Sequence, residues 1–475
     1  MQQSTCVHGV QREEVIDATG TYLDALNWLL HFTDTEGVPP SLEAMSLERP
    51  AALLNILNHP HESYPAIVIA GTKGKGSTAA MVESILRAAG LRTGLYTTPH
   101  MHSFRERMRV NGEPIAEESF VALTEVMKQA VEELPPSLGT PSTYEVATPM
   151  AFLHFAAEAV DVAVLEVGLG GATDAVNVVE PTLTAITSIS YDHTQILGDR
   201  LTDIVHQKAG ILRRGVPVIT VSQVAEAAMT IHDEAEQRGA PLYHAEPDGI
   251  HTPDAILPYL APITPETAPE MVRLRGVFQQ ENSRLASGIV QLWYEWWQQQ
   301  QPPALPALPL TADTIRHGLM QVEWPGRFEV VDVPSPPHPA IVLDSAHNGD
   351  SAAKLMRSLQ AEYPNTRLIL VLSVLADKDI RAIAEELLPY ATMVVLTTTG
   401  HTRSASLEHL ATAIWPYVQG RIQLCPDPPT AMETALAAAA PHDLVCATGS
   451  MAVVAAAREY LAAYLGQRHQ NQTAP

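Results

Sequence analysis

The chain has 475 residues, 46% of them apolar, with 29 Lys and Arg against 53 Asp and Glu and a net charge of −24. Such a length accommodates two or three domains, or two large ones, and the apolar share excludes a wholly disordered chain. The acidic balance and the 5% aromatic content argue against a broad basic or base-stacking surface for nucleic acid, while leaving room for a small anionic substrate at a locally positive site.

The N-terminal stretch MQQSTCVHGV has no apolar leader core, and no run of about 18 apolar residues occurs, so a cytoplasmic protein without membrane spans is expected. Cys6, Cys425 and Cys446 are too few and too scattered for a disulfide framework or a Cys-rich zinc site. Along the chain, Ala66–Gly71, Asp161–Gly168, Thr182–Ile189 and Val216–Val221 are short apolar runs that predict buried strands. Helical stretches such as Thr78–Ala89 lie between them, the alternation of a parallel sheet covered on both faces. The pattern restarts with Ala340–Asp344, Arg367–Leu372, Met393–Thr397 and Leu444–Ala447. Two Pro-rich segments, His251–Pro269 and Gln298–Pro309, read as surface loops, and Ala312–Gln321 as one more helix of the first domain. The expected fold class is α/β: a P-loop-containing N-terminal domain with a mainly parallel sheet over residues 1–323, and a smaller Rossmann-like α/β domain over 324–465. Residues 466–475 read as a disordered tail.

The strongest local signal is Ala70-Gly71-Thr72-Lys73-Gly74-Lys75-Gly76-Ser77-Thr78, between a predicted strand and a predicted helix. Glycines allow successive N–H groups to face phosphate oxygens, the helix N-terminus adds its dipole, and Lys75 can reach the outer phosphates. Ser77 or Thr78 can offer a hydroxyl to Mg²⁺. The usual Walker string is not met, because Gly76 follows Lys75 and the first glycine of that pattern would fall on Ile69. Glu166 ends a predicted strand, where open α/β sheets bind ligands.

The variant loop Gly-Thr-x-Gly-Lys-Gly-Ser resembles the ATP loop of the Mur-type amide ligases, specifically of the folylpolyglutamate synthase/dihydrofolate synthase family, in which Asn is usual at position 73. Further blocks keep the family's order: Thr98-Pro99-His100, Arg105-Glu106-Arg107, Asn111 to Pro114, Thr143-Tyr144-Glu145 and Glu166 to Gly171 with Asp174, Ala175 and Asn177. Asp192-His193-Thr194, Lys208 to Ile211, Gly276 to Asn282, Trp324 to Arg327, Asp344 to Asn348 and Asp377-Lys378-Asp379 continue it. Departures stand at Lys73, at Ala172 in place of Arg, at Phe278 in place of His, and at Ser345.

The resemblance implies a Mur-ligase-like architecture and an ATP-dependent ligase that adds L-glutamate to tetrahydrofolate, and to 7,8-dihydropteroate, through an acyl phosphate. It implies ATP held by Gly71, Thr72, Gly74, Lys75, Gly76, Ser77 and Thr78, with Asn282 and Asn348 toward the adenosine. Two Mg²⁺ ions are implied on Ser77, Glu166, His193 and Lys208, the last carrying CO₂ as a carbamate. Arg327 is placed on the γ-phosphate, with Asp344 and His347 orienting the transferred group and helping to receive glutamate. Pro99, His100, Tyr144, Asp174 and Ala175 fall on the folate side. A monomer acting on small molecules, with neither nucleic acid nor membrane as a partner, is expected. Two alternatives stay open: another Mur-type ligase acting on a cell-wall nucleotide, and a P-loop NTPase that only hydrolyses nucleotide. Against the first, no separate nucleotide-sugar domain fits before Gly71; against the second, an NTPase needs no second α/β domain with its own Asp-x-x-His pair.

Overall fold

The computed structural model describes residues 20–33, 45–300, 310–332, 338–401 and 403–473. Cys6 and residues 301–309 of the Pro-rich loop lie outside them.

Ten strands build the first sheet: β1 (Ala66–Ala70), β2 (Thr93–Tyr96), β3 (Met108–Val110), β4 (Glu113–Pro114), β5 (Val162–Glu166), β6 (Leu183–Ile186), β7 (Val218–Thr220), β8 (Leu242–Glu246), β9 (Gly249–His251) and β10 (Ile256–Leu257). Their order is β10-β9-β8-β7-β6-β1-β5-β2-β3-β4. The six central strands pair in parallel, and antiparallel hairpins extend both edges. Strand β1 is buried along its whole length, so its residues alternate between two cores. Val68 and Ala70 face one core with the helices Glu48–Ile56 and Thr143–Ala157. Ile67 and Ile69 face the other with Lys75–Ala88, Val277–Gln300 and Ala312–Gln321. Burial on both faces is why this strand reads as an unbroken apolar run.

The second sheet holds β11 (Glu329–Val330), β12 (Ala340–Leu343), β13 (Leu368–Leu372), β14 (Ala391–Leu396), β15 (Arg421–Leu424) and β16 (Leu444–Thr448). It runs β11-β12-β16-β13-β14-β15, parallel except for β11. Helices Gly349–Glu362, Ile380–Leu387 and Leu407–Ile414 cover one face, and Pro428–Ala438 with Met451–Thr473 the other. The helix predicted at Thr78–Ala89 begins three residues earlier, at Lys75, because Gly74 already caps it in the left-handed region. The terminal helix runs through Thr473, over most of the stretch for which a disordered tail is expected. Cys425 and Cys446 are buried and free. Among the described residues, no helix is long and apolar enough to cross a membrane.

Candidate active site

Both sheets turn the carboxyl ends of their parallel strands toward one cleft of about 1110 Å³, the position where open α/β sheets take ligands. From the first sheet it is walled by Thr72–Ser77 after β1, Thr98–Met101 after β2, Glu166 and Gly168 after β5, and Asp192 and His193 beyond β6. From the second come Arg327, Asp344, Ala346, His347, Lys378, His401, Arg403 and Ser450.

The phosphate loop needs glycine for two different reasons. Gly74 has φ +91°, and a Cβ there would stand 2.4 Å from the Asn282 side-chain oxygen. At Gly76 a Cβ would meet the Trp324 ring at 2.9 Å and the Glu166 carboxylate at 3.3 Å. Asn282 and Glu166 therefore press directly on the loop. Lys75 makes only a marginal 3.5 Å contact, to the Thr72 carbonyl, so its ammonium is available to the cleft. Ser77 faces the Gln279 amide at 3.4 Å. The Thr78 hydroxyl is fully buried without a partner and is absent from the cleft wall. Of the two candidate hydroxyl residues, Ser77 lines the cleft and Thr78 does not.

Glu166 is 4% exposed; one oxygen accepts the Thr98 N–H at 3.0 Å and the carboxylate lines the cleft. Burial raises its pKa, against the pull of Lys75, that N–H and Arg327. Arg327 has no hydrogen-bond or ion-pair partner among the described residues and lines the cleft as a free cation. Asp344 fixes the turn that carries it: its two oxygens accept the Phe328 and Ala346 N–H groups at 2.8 and 2.9 Å. Burial pushes the Asp344 carboxyl up to about 6, offset chiefly by Arg327. His347 Nδ1 lies 3.0 Å from the Ser345 carbonyl, which fixes the ring as a donor there and leaves Nε2 an acceptor. Burial holds this imidazole down to about 3, with Lys73 adding to the effect, so it is neutral.

Three expected site residues are tied into the protein's own hydrogen bonds. Lys208 is 5% exposed and sits behind the phosphate loop, its Nζ donating to the Gly71 carbonyl at 2.7 Å. Burial, with Lys75 and Lys73 nearby, lowers its pKa well below the usual amine value. His193, by contrast, is exposed on the cleft side in a left-handed conformation (φ +50°). Asn348 caps the helix Gly349–Glu362 and donates to Asp192 at 3.3 Å, so its side chain is spent on structure. Asp174 is fully buried and accepts from Leu169 N, Val176 N and the Tyr144 hydroxyl at 2.9, 2.9 and 3.0 Å. It shapes the turn after β5 and also lines the cleft, with Oδ2 accepting only the Leu169 N–H among the described residues. Pro99, Tyr144 and Ala175 line the cleft, as does His100, which accepts from Arg107 at 2.9 Å.

Sequence reasoning gave no role to Arg49, Lys354, Lys378, His401 and Arg403, which also line the cleft. Arg49 forks onto Glu145, at 2.7 Å for its shortest contact. Arg403 pairs with Asp377 at 2.9 Å beside Lys378. Lys378 falls within the Asp377-Lys378-Asp379 block, whereas the loop with His401 and Arg403 carries no sequence signal.

The Mur ligase middle domain matches residues 69–241, and the Mur ligase glutamate ligase domain matches residues 326–451. The dihydrofolate synthase/folylpolyglutamate synthase of Bacillus subtilis is 37% identical over 364 residues, 75% of this chain and 80% of that protein. The chain belongs to the folylpolyglutamate synthase/dihydrofolate synthase family. It is thereby an ATP-dependent glutamate ligase of the Mur type, with the α/β architecture expected. It spans about half the length of a haloarchaeal relative from Halobacterium salinarum, a probable bifunctional folylpolyglutamate synthase/dihydropteroate synthase. The Escherichia coli FolC structure in complex with DHPP and ADP superposes with a TM-score of 0.77 at 27% identity, covering 94% of this chain and 99% of that one. A bifunctional folylpolyglutamate synthase/dihydrofolate synthase with Mn, AMPPNP and L-glutamate bound superposes at 0.74 and 28% identity, covering 94% and 99%.

Proposed function

We propose that this cleft joins L-glutamate to the carboxylate of a pterin-bearing acid, tetrahydrofolate or 7,8-dihydropteroate, through an acyl phosphate. The observation that carries the reading is the opposition of two half-sites: a phosphate loop with Glu166 on one wall, and the unpaired Arg327 with Lys378, His401 and Arg403 on the other. The acceptor carboxylate attacks the γ-phosphorus and ADP departs; the glutamate amine then attacks the acyl carbon, loses a proton and expels phosphate. The N–H groups at Gly74–Ser77 and the Lys75 ammonium hold the phosphates. Arg327 stabilises the charge that develops on the transferred group, and Asp344 holds Arg327 in place. The neutral His347 Nε2 is an acceptor for the glutamate amine. Lys378 and Arg403 offer positive charge to the two glutamate carboxylates, beside the His401 ring.

The Ser77 hydroxyl and the Glu166 carboxylate are hard oxygen donors that suit Mg²⁺, and the Glu166 carboxylate, buried among cations with one backbone hydrogen bond, fits such an ion. When bound, the ion neutralises charge on the phosphates. His193 is the candidate for a second ion. A neutral amine is the form of lysine that adds CO₂, and the surroundings of Lys208 favour it; a carbamate nitrogen would keep one N–H for Gly71. The hinge is proposed at Glu323–Pro325, between the helix Ala312–Gln321, packed on Lys75–Ala88, and strand β11.

Purified protein with Mg-ATP, labelled glutamate and either dihydropteroate or tetrahydrofolate tests this. ADP release should require both glutamate and an acceptor; equal release without them would favour a simple NTPase.

A further inference from the structure

The loop after β6 lies between the phosphate loop and the second sheet's first helix, bonded to both. On one side, the Thr72 and Lys73 N–H groups donate to the Ser188 carbonyl at 3.0 and 3.2 Å. Ser190 N donates to the Thr72 hydroxyl at 3.2 Å, and that hydroxyl donates to the Ser190 carbonyl at 3.1 Å. On the other side, Lys354 donates to the Ser188 hydroxyl at 3.3 Å, and the Ser190 hydroxyl to Asp350 at 3.2 Å. Asp350 and Lys354 themselves pair at 3.2 Å. At the centre stands Asp192. One of its oxygens accepts both the Lys73 ammonium, at 2.7 Å, and the Asn348 amide, at 3.3 Å. The ion pair is shielded from water, with side-chain exposures of 14% and 16%.

We infer that Lys73 is a positioning residue, which ties the phosphate loop through Asp192 and Asn348 to the helix Gly349–Glu362. The inference rests on the ligase reading for its kinetic consequence. Lys73 and Lys75 alternate along the loop, yet only Lys75 is left without a carboxylate. The two ammoniums therefore divide the work: Lys75 is free to meet phosphate, and Lys73 registers one wall of the cleft against the other. A transferring group held between two walls is sensitive to their relative placement at the scale of about 1 Å. Loosening the strut should slow transfer more than it weakens nucleotide binding.

The test uses Lys73→Asn, Asp192→Asn, the double variant and Lys73→Arg in the full chain. Each single amide variant should lower kcat about tenfold while KM for ATP stays within about threefold, and the double should be no worse than the poorer single. Lys73→Arg should recover much of the loss, since it restores a cation to Asp192. A KM for ATP raised about tenfold at unchanged kcat would make Lys73 a phosphate ligand and overturn the inference; so would additive losses, or kcat within twofold of wild type. A second readout needs no turnover. Amide exchange of residues 346–354 should slow on adding AMPPNP in the wild type and not in Lys73→Asn. Transmission seen in a wild type without glutamate-dependent ADP release would defeat the ligase reading and leave this one standing. No slowing in the wild type, or equal slowing in both, would overturn the strut.

Discussion

Replacing Lys208 by Met separates the fold from the chemistry. The amine is 5% exposed, has one hydrogen bond, to the Gly71 carbonyl at 2.7 Å, and no carboxylate within salt-bridge distance among the described residues. Its pKa is lowered by burial first and by Lys75 next. Exchanging a buried ionisable group for an apolar one of similar length is neutral to stabilising by about 1–4 kcal/mol. Leaving the Gly71 carbonyl without its donor costs about 1 kcal/mol. The balance, from about 1 kcal/mol against the variant to about 3 kcal/mol in its favour, predicts a melting temperature within a few degrees of wild type. Ligation should nevertheless fall about 10²–10³-fold, because the nitrogen that would carry the carbamate, and its anchor on the phosphate loop, are gone. Thermal unfolding and glutamate-dependent ADP release on the same preparation read both quantities. A variant that keeps more than a tenth of wild-type turnover, or that loses activity only as far as it loses folded protein, refutes the reasoning.

Three further outcomes follow from the site and the core. Arg327→Met should reduce kcat by about 10²–10³ with a comparatively small change in melting temperature, since among the described residues no hydrogen bond or ion pair is lost, as steady-state kinetics and a thermal melt would show. Asp344, held near 6 by burial, gains a proton as pH falls through that value and loosens its grip on the turn bearing Arg327. The acid limb of kcat/KM for ATP should therefore show an apparent pKa near 6, and Asp344→Asn should lack that limb. His154 is buried and held down to about 4 by desolvation, against 6.5 for a free imidazole. Between pH 6.5 and 4 the unfolded chain takes up a proton that the native one refuses, so stability present above pH 6.5 is lost as pH falls through this window, by up to about 3 kcal/mol. Denaturant titrations at pH 7 and 5 would measure the loss, and His154→Gln should flatten it.

What could be read from the sequence follows the physics of burial. Strands β1, β5, β12 and β13 are covered on both faces, and their runs of Ile, Val and Leu announced them. Strand β2 carries Gly94 and β8 the mixed run Leu242–Glu246, where His244 and Glu246 interrupt the apolar residues, so neither was predicted. β15 is an edge strand with mostly exposed side chains and was missed for the same reason. In the site, the phosphate loop was legible because glycine, lysine and hydroxyl residues fall at contiguous positions. The second wall was not. Arg327 and Asp344 came only through family resemblance, and His401 and Arg403 meet the cleft through tertiary folding of a loop without pattern. The structural work of Asp174 and Asn348 was not legible either: that both cap turns depends on which backbone N–H groups surround them, which the sequence does not show.

The proposed reaction turns on direct phosphoryl transfer to the acceptor carboxylate in this cleft. Dihydropteroate or tetrahydrofolate labelled with ¹⁸O in the carboxylate, turned over with Mg-ATP and L-glutamate, tests it in one mass spectrum. The account predicts one ¹⁸O atom in each phosphate released, carried there when glutamate displaces it from the acyl carbon. Phosphate bearing only oxygen from ATP or from water would contradict it.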